Sequence, residues 1–289
     1  MIKEIRAKVL LSHVKQPDTW FGIKYNMNLY RGCQHQCIYC DSRSECYQIE
    51  NFADILIKVN AIELLRQELA RKRVKDTIGT GSMNDPYMPL EKELNLTGRA
   101  LQVIAQFGFP VHIVTKSDLV LRDLGTLRQI NRRYAAVSFT ITTADDELGK
   151  KLEPGAPPPS KRFEALRVLT EHGIHTGVTM MPILPFIEDD EENITRIVEK
   201  AHEHGATYII PWFGMSLRDR QRAYYYEQLE RLFPGVRQKY ERAFGDQYHC
   251  VTNNAGRLAE LFDSLCSRYG IATRVEPYAP ESGAQLSMF

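Results

Sequence analysis

Apolar residues along this chain follow two alternating patterns. Short runs rich in β-branched and aromatic residues predict strands, and each is followed by a longer segment with apolar residues at helical spacing. In residues 191–204, for example, Ile194, Ile197, Val198 and Ala201 fall on one helical face. The predicted strands are residues 25–30, 77–80, 111–115, 135–141, 176–181 and 208–212, and the predicted helices are residues 61–72, 97–107, 121–133, 161–171 and 191–204.

This βα alternation predicts an α/β fold with a parallel sheet or barrel and helices on its outside. From Leu217 onward the alternation stops, and helical patterns over 219–244 and 255–269 predict a C-terminal helical cover. The final residues have no periodicity, which predicts a flexible tail. The predicted organisation is an N-terminal lead (1–20), a barrel (21–216), the helical cover (217–275) and the tail (276–289).

Composition narrows the class of protein. The chain has 289 residues, 43% hydrophobic and 25% charged, which suits one large α/β domain with a small appendage. A formal net charge of +1 means that any nucleic-acid surface must be a local patch. Six cysteines are too few for a disulfide scaffold, and neither a membrane span nor a signal-peptide core is visible. We therefore expect a cytoplasmic protein with no membrane partner.

A C-x3-C-x2-C run holds most of the chemical information. Cys33, Cys37 and Cys40 lie on one loop directly after the first predicted strand, where reactive sites of barrels collect. Three thiolates on one loop leave a four-iron cluster with one iron that the loop does not ligate. The alternative is a zinc site with His35 or Cys46 as fourth ligand, but zinc sites usually come as paired C-x2-C units.

The spacing, with Tyr39 just before the last cysteine, resembles the signature of the radical S-adenosylmethionine (SAM) enzymes. Other segments resemble one branch of that superfamily, the spore photoproduct lyase-like or DNA repair photolyase-like proteins. They are NLYRGC at 28–33, NDPYMPLE at 84–91, VTKS at 114–117, SFTI at 138–141 and EPGAP at 153–157. The resemblance covers roughly residues 25–215.

The resemblance implies a partial (β/α)6 barrel of the radical SAM type that binds a [4Fe-4S] cluster through Cys33, Cys37 and Cys40. SAM would chelate the open iron through its amino and carboxylate groups. One electron, from an external donor, would cleave a carbon–sulfur bond and yield a 5′-deoxyadenosyl radical that abstracts hydrogen from a substrate. The protein would place the reactants and exclude water.

Several residues match the needs of a SAM site. Lys116, at the end of the third predicted strand, supplies a cation for the SAM carboxylate; the alternative is a solvated strand-end lysine. Ser138 and Thr140 share one strand face, so both hydroxyls are candidates for SAM's polar end or ribose, or for ordinary backbone partners. Tyr39 is expected beside the adenine, with a core tyrosine as the alternative.

The loop after the second predicted strand is where relatives place the contact with SAM's amino group. Its glycines allow close backbone approach, and Asn84 or Asp85 can accept from an ammonium, with Ser82 beside them. Residues 153–159, rich in proline, predict a loop at the barrel mouth or else a surface linker.

One departure from the branch concerns the hydrogen donor. True spore photoproduct lyases carry a cysteine after strand two that returns a hydrogen atom, whereas this chain has Ser82 and Met83 there. A serine O–H bond is too strong for that task, so the donor is unassigned. Cys46, Cys250 and Cys266 are scattered, which favours buried free thiols over a second cluster.

Two segments bear on DNA. Residues 217–226 combine arginines and tyrosines, which suits phosphate pairing and base stacking or, alternatively, a helix start whose tyrosines pack inward. The final pentapeptide, QLSMF, resembles the motif by which bacterial repair proteins dock on the sliding clamp. Leu286, Met288 and Phe289 would be its apolar anchors and Gln285 its polar hook; the alternative is packing on the parent domain.

The leading hypothesis is therefore a radical SAM enzyme, in the manner of a lyase, acting on a damaged or modified DNA base that leaves the stack. One rival keeps the radical chemistry but gives it an RNA, peptide or small-molecule substrate. Another is a noncatalytic iron–sulfur module tethered to the sliding clamp.

Overall fold

The computed structural model describes residues 1–14, 20–49 and 51–279. The described strands are β1 (Ile2–Ile5), β2 (Leu11–His13), β3 (Tyr25–Met27), β4 (Tyr30–Arg31), β5 (Ile55–Lys58), β6 (Ile78–Thr80), β7 (Val111–Thr115), β8 (Ala135–Thr140), β9 (His175–Met180), β10 (Tyr208–Pro211), β11 (Gly214–Ser216) and β12 (His249–Val251). The described α-helices are α1 (Ala61–Arg71), α2 (Glu91–Leu94), α3 (Leu96–Phe107), α4 (Leu124–Ile130), α5 (Asp146–Leu152), α6 (Pro159–Glu171), α7 (Glu191–Glu203), α8 (Asp219–Leu232), α9 (Val236–Phe244) and α10 (Ala255–Tyr269). Short 3-10 turns are Asp41–Arg43, Glu45–Tyr47 and Asp118–Asp123.

The central sheet is a partial (β/α)6 barrel. Within the described residues it has the order β10-β9-β8-β7-β6-β3-β2. Strands β3, β6, β7, β8, β9 and β10 are parallel and follow chain order, whereas β2 pairs antiparallel with β3 at one edge. The six strands predicted from the apolar pattern are these six parallel strands, so the predicted α/β fold class is confirmed.

A smaller sheet, β1-β5-β4, was not predicted. Strand β1 pairs parallel with β5 and has a mostly exposed surface, so its sequence lacks the apolar alternation that reveals a strand. The first predicted strand is also shorter than expected, because β3 ends at Met27 and the chain enters this second sheet at β4. The predicted N-terminal lead thus contributes strands β1 and β2.

Helices pack on the outside of the barrel and bury an apolar core between themselves and the sheet. All six residues of β8 are buried, as expected for a parallel strand covered on both faces. The predicted face of α7, formed by Ile194, Ile197, Val198 and Ala201, is fully buried. Each such apolar side chain stabilises the fold by roughly 1.5–3 kcal/mol when buried, or less for alanine.

The C-terminal helices pack over the cysteine loop. A second apolar cluster joins Cys37 and Tyr39 to Tyr225 of α8 and to Tyr240 and Phe244 of α9. The predicted continuous helix over 219–244 is wrong, because residues 233–235 interrupt it. Its break contains Pro234 and Gly235, and that glycine has a φ of 84°. Helix α10 packs on α7 instead.

Candidate active site

The cysteine loop is tightly curled after β4. Gly32 has a φ of 78°, and a Cβ there would lie 2.1 Å from the backbone oxygen of Asp54. The Gln36 side chain donates to the Cys33 backbone oxygen at 2.5 Å and accepts from Arg43 at 2.9 Å. Cys33 and Cys37 are buried and Cys40 is half-buried. Contacts with the rest of the fold therefore hold the loop on both sides.

The three cysteines line one cavity of about 210 Å³. It opens at the carboxyl ends of the barrel strands, because its other walls are the residues that end or follow β6, β7, β8, β9 and β10. Of the predicted site residues, Tyr39, Ser82, Asn84, Asp85, Lys116 and Thr140 line it with the cysteines. The walls that sequence reasoning missed include Met83, Met181, Pro182, Trp212 and Met215.

The chemistry of the three thiols suits an iron–sulfur cluster. Burial raises the pKa of Cys33 to about 12 and also raises those of Cys37 and Cys40. A bound metal would offset this by stabilising the thiolates. Backbone amides of His35 and Asp85 hydrogen-bond to Cys33, and the ammonium of Lys116 lowers the pKa of Cys37 against the effect of burial. Thiolates with amide donors and a nearby cation fit the cluster that the loop spacing predicts.

The zinc alternative needs four ligands on a single ion. In the part of the chain that the structure describes, no group of three or more Cys, His, Asp or Glu side chains is arranged to hold a single metal ion. Cys46, one of the two suggested fourth ligands, is exposed and lies 3.4 Å from a guanidinium nitrogen of Arg218. A cubane needs no such convergence, since each thiolate binds a different iron.

Lys116 lies beside a buried carboxylate that sequence reasoning gave no role. Glu153 is 2% exposed, forms an ion pair with Arg162 and accepts a hydrogen bond from the Tyr39 hydroxyl. Burial alone would raise the pKa of Glu153, but Arg162 and Lys116 lower it overall, so it stays charged. The Lys116 ammonium is 3.8 Å from Glu153. Two cations therefore share one carboxylate, and Lys116 keeps the capacity to bind another anion in the cavity.

Both carboxylate oxygens of Asp85 accept hydrogen bonds from the protein. Its Oδ1 accepts from the Tyr87 amide at 2.8 Å and the Thr115 hydroxyl at 2.7 Å, and its Oδ2 accepts from the Lys116 amide at 2.6 Å. The Nδ1 of His35 lies 3.4 Å from Oδ2. Because its acceptor positions are filled, Asp85 braces the end of β7 and the cysteine loop, and it is a poor candidate for SAM's ammonium.

Asn84 and Ser82 keep more freedom. The Asn84 amide nitrogen donates to the Tyr30 backbone oxygen at 2.5 Å, and within the described residues its side-chain oxygen makes no hydrogen bond. Ser82 is exposed at the mouth and exchanges hydrogen bonds with Asn26. Gly81 has a φ of 104°, and a Cβ there would lie 2.1 Å from the Val114 backbone oxygen, so this loop needs glycine.

The two hydroxyls predicted on β8 lie at different depths. Thr140 lines the cavity, and its Oγ1 accepts from Thr179 at 3.0 Å. Ser138 is absent from the cavity walls; its Oγ bonds to His112 Nε2 and to the Tyr208 hydroxyl, each at 2.7 Å. The shared face was correct, but Ser138 lies one layer deeper, so its prediction as a SAM contact is corrected to a buried polar cluster in the barrel interior.

The proline-rich segment lies against the cysteine loop. The Gly155 amide donates to the His35 backbone oxygen at 2.9 Å, and the Ile38 amide donates to the Leu152 backbone oxygen at 2.9 Å. Helix α6 then begins at Pro159, where the missing amide of proline is tolerated. This segment thereby brings Glu153 to Tyr39 and Lys116, which line the cavity, and supports the loop from outside.

Replacing Gly155 by alanine should destabilise the protein by roughly 1–3 kcal/mol. The new Cβ would lie 2.1 Å from the Gln34 backbone oxygen and 2.9 Å from the His35 Cα, so the two loops must separate. Urea unfolding under anaerobic conditions measures the change. As a control, Gly125→Ala in α4 meets nothing within 4 Å and should stabilise by up to about 1 kcal/mol. Equal stability for both variants would contradict the packing described here.

Asp85 should make stability depend on acid. Burial would raise its pKa, but His35 and the hydrogen bonds lower it to about 2, below the value of about 3.9 in an unfolded chain. Its contribution, up to about 2.6 kcal/mol, is therefore present above pH 4 to 5 and is lost as pH falls towards 2. Asp85→Asn should flatten the fall in unfolding free energy between about pH 5 and 3, whereas Asp263→Asn, at an exposed position on α10, should not. A wild-type slope in Asp85→Asn would refute this role.

The three cysteines outside the loop differ in burial. Cys250 and Cys266 are buried as predicted, but Cys46 is exposed, which corrects the expectation for that residue.

In the basic aromatic segment, residues 217–226, the side chains contact the protein itself. Arg218 pairs with Asp41, and Arg222 donates to backbone oxygens at the end of α9. Within the same segment, Arg220 donates to the Ile49 backbone oxygen, Tyr224 lies 3.6 Å below the Arg43 guanidinium, and Tyr225 and Tyr226 are buried. The inward-packed alternative thus describes residues 217–226.

Comparisons with known proteins agree with this site. The family model of the radical SAM superfamily matches residues 27–198, and the chain belongs to that superfamily. Its members use a [4Fe-4S] cluster and SAM, which are therefore the cofactors of this site. The fold is that of spore photoproduct lyase, which the sequence segments resemble.

Three similar proteins illustrate the relationship. An uncharacterised protein of Methanocaldococcus jannaschii is 35% identical over 66% of this chain and 70% of its own. A radical SAM Nalpha-GlyT isomerase of Pseudomonas phage M6 is 23% identical over 63% of this chain and 37% of its own. A spore photoproduct lyase variant, solved with AdoMet and a dinucleoside spore photoproduct, has a TM-score of 0.70 at 14% identity and covers 93% of this chain and 79% of that one.

In the described part of the chain, no helix combines the length and apolar character needed to cross a membrane. The residues of the clamp-like pentapeptide, Gln285, Leu286, Met288 and Phe289, lie outside the described residues.

Proposed function

We propose that this protein reductively cleaves SAM at its cluster and uses the resulting radical on a DNA base. One observation carries the proposal: three thiols, a half-buried lysine and aromatic and thioether side chains line the same cavity at the barrel mouth. When bound, the cofactors supply a 5′-deoxyadenosyl radical, formed with one electron from an external donor and the cleavage of a carbon–sulfur bond. The protein's residues bind and orient them.

The roles of the cavity residues follow from their contacts. Cys33, Cys37 and Cys40 would ligate the cluster, and Lys116 would bind the SAM carboxylate, since Glu153 shares its charge with Arg162. The side-chain oxygen of Asn84 would accept from the SAM ammonium. Thr140 and Ser82, which line the cavity, would make polar contacts near the mouth, and the ring of Tyr39, whose hydroxyl donates to Glu153, would lie beside the adenine.

Four further lining residues suit a planar substrate. Trp212, half-buried at the end of β10, stands with Met83, Met181 and Met215 around the cavity. An indole ring can stack on an extruded base, and thioethers adapt to its outline. A spore photoproduct lyase variant with the same fold was solved with a dinucleoside spore photoproduct, and this supports a damaged base as substrate.

Docking on a sliding clamp is a further part of the proposal. Gln285, Leu286, Met288 and Phe289 supply the polar hook and apolar anchors that such a groove accepts. Phe289→Ala should then weaken binding to purified clamp, with Ser287→Ala as the matched control. A clamp that fails to bind the full-length chain would remove this part and leave the radical chemistry intact.

The central test is direct. Anaerobically reconstituted protein with SAM and dithionite should form 5′-deoxyadenosine and methionine, and addition of DNA carrying the right base should raise the yield of 5′-deoxyadenosine. Absence of both products would overturn the enzyme proposal. Formation of both, with stimulation by RNA, peptide or small molecules but never by DNA, would overturn the DNA substrate alone.

A further inference from the structure

Unpaired positive charge collects at the end of the barrel opposite the cysteine loop. Arg73, Lys75, Arg132 and Arg133 line an open groove of about 1170 Å³, which we call the basal groove. The first two precede β6 and the other two precede β8, so all four lie at the amino ends of parallel strands. The cysteine cavity opens at the carboxyl ends. The two sites are therefore separated by the length of the barrel.

The four basal cations have no partners in the described part of the protein. All four side chains are exposed, and none makes a hydrogen bond, ion pair or ring contact with a described residue. Arg167 on the outer helix α6 differs from them, because it pairs with carboxylates on both sides within that helix. Like charges held together repel one another, so a cluster without internal counter-charges favours an external anion.

The groove is also aromatic and extended. Tyr134 and Tyr278 line it with ring centroids 6.1 Å apart, and Glu276 is the one carboxylate among its lining residues in the described chain. A neighbouring depression of about 790 Å³ shares residues 276–278 and adds the cations Lys24 and Arg274 and the carboxylate Asp76. A basic track with aromatic rings beside it is the arrangement that follows a nucleic-acid backbone while offering rings to bases.

We infer that the basal groove binds the phosphate backbone of a nucleic acid, at a site separate from the catalytic cavity. The surface that the sequence suggested for this task, residues 217–226, has its arginines bound within the protein. The basal cations have their charge available instead. With a net charge of only +1, the chain attracts phosphates through this local face rather than through its total charge. The inference stands whichever substrate the cavity accepts.

The double variant Arg132→Glu/Arg133→Glu tests the inference. Binding is measured by fluorescence anisotropy with end-labelled single-stranded and duplex oligonucleotides. The affinity of the variant should be at least about tenfold lower than that of wild type, and the magnitude of the slope of log affinity against log salt should fall by about two units. Formation of 5′-deoxyadenosine from SAM without nucleic acid should equal that of wild type, because the groove is remote from the cavity. Comparison of the two oligonucleotides shows which form of nucleic acid supplies the phosphates.

The matched control is Arg66→Glu/Arg167→Glu, which makes the same change in net charge on the outer helices α1 and α6. It should leave affinity within about twofold and the salt slope unchanged. The inference would be overturned if both double variants lost the same affinity or if the groove variant bound as tightly as wild type. It would also be overturned if the wild-type protein bound a polyglutamate peptide but neither oligonucleotide. If the reversal prevents folding, Arg132→Gln/Arg133→Gln gives the same test. Failure of the proposed reaction appears only in the SAM assay, so the two outcomes are distinguishable.

Discussion

Replacing Cys37 by alanine is expected to abolish the cluster and, with it, the cleavage of SAM. Cys37 is buried in the second apolar cluster, and the Lys116 ammonium is a nearby cation. With two thiolates left on the loop, a four-iron cluster loses one of the three anchors that the protein provides. Iron and sulfide content, the electron paramagnetic resonance signal of the reduced protein, and 5′-deoxyadenosine formation should all fall to background.

The chain supplies its own controls for this experiment. Cys250→Ala and Cys266→Ala remove buried thiols elsewhere in the fold, and Cys46→Ala removes an exposed one. Each should keep wild-type iron content, although the two buried changes should reduce stability by about 1 kcal/mol or more through the cavities they leave. A Cys37→Ala protein that retains the cluster, or a loss of iron in all four variants, would contradict the assignment of the ligands.

Replacing Lys116 by methionine is expected to weaken SAM binding by about 100-fold, as loss of a buried charge-assisted contact costs about 3 kcal/mol. Methionine keeps most of the aliphatic stem and removes the ammonium. Glu153 retains Arg162 and the Tyr39 hydroxyl, so the fold should survive. Isothermal titration of SAM into reconstituted protein measures the affinity, and iron content verifies that the cluster is present.

Two further variants sharpen the result. Lys92→Met removes an exposed ammonium on α2 and should leave SAM affinity unchanged. Lys116→Arg keeps the charge but changes the head-group geometry, so it should recover only part of the affinity. If Lys116→Met binds SAM with an affinity within about threefold of wild type, another group holds the carboxylate.

The sequence determined the elements that repeat. Apolar runs placed all six parallel strands and the buried face of α7, because burial against a covered sheet requires apolar residues at regular spacing. The cysteine loop was readable for a related reason: three ligands on one short loop are a local property, so their spacing survives without knowledge of the fold. Strand β1 was invisible, since its exposed surface imposes no such pattern.

Only the tertiary structure decided what the charged and polar groups do. Asp85 and Asn84 are neighbours in sequence, yet one is filled by protein donors and the other keeps a free oxygen within the described residues. Ser138 shares a face with Thr140 but lies deeper, and Glu153 meets Lys116 across 37 residues of chain. Partners of this kind come from distant segments, and the free energy of a charge depends on them and on burial rather than on its own side chain. For the same reason we propose the basal groove, rather than Arg218 and its neighbours, as the nucleic-acid surface. Arginines look alike in sequence, and only their contacts distinguish a charge already bound from one that is available.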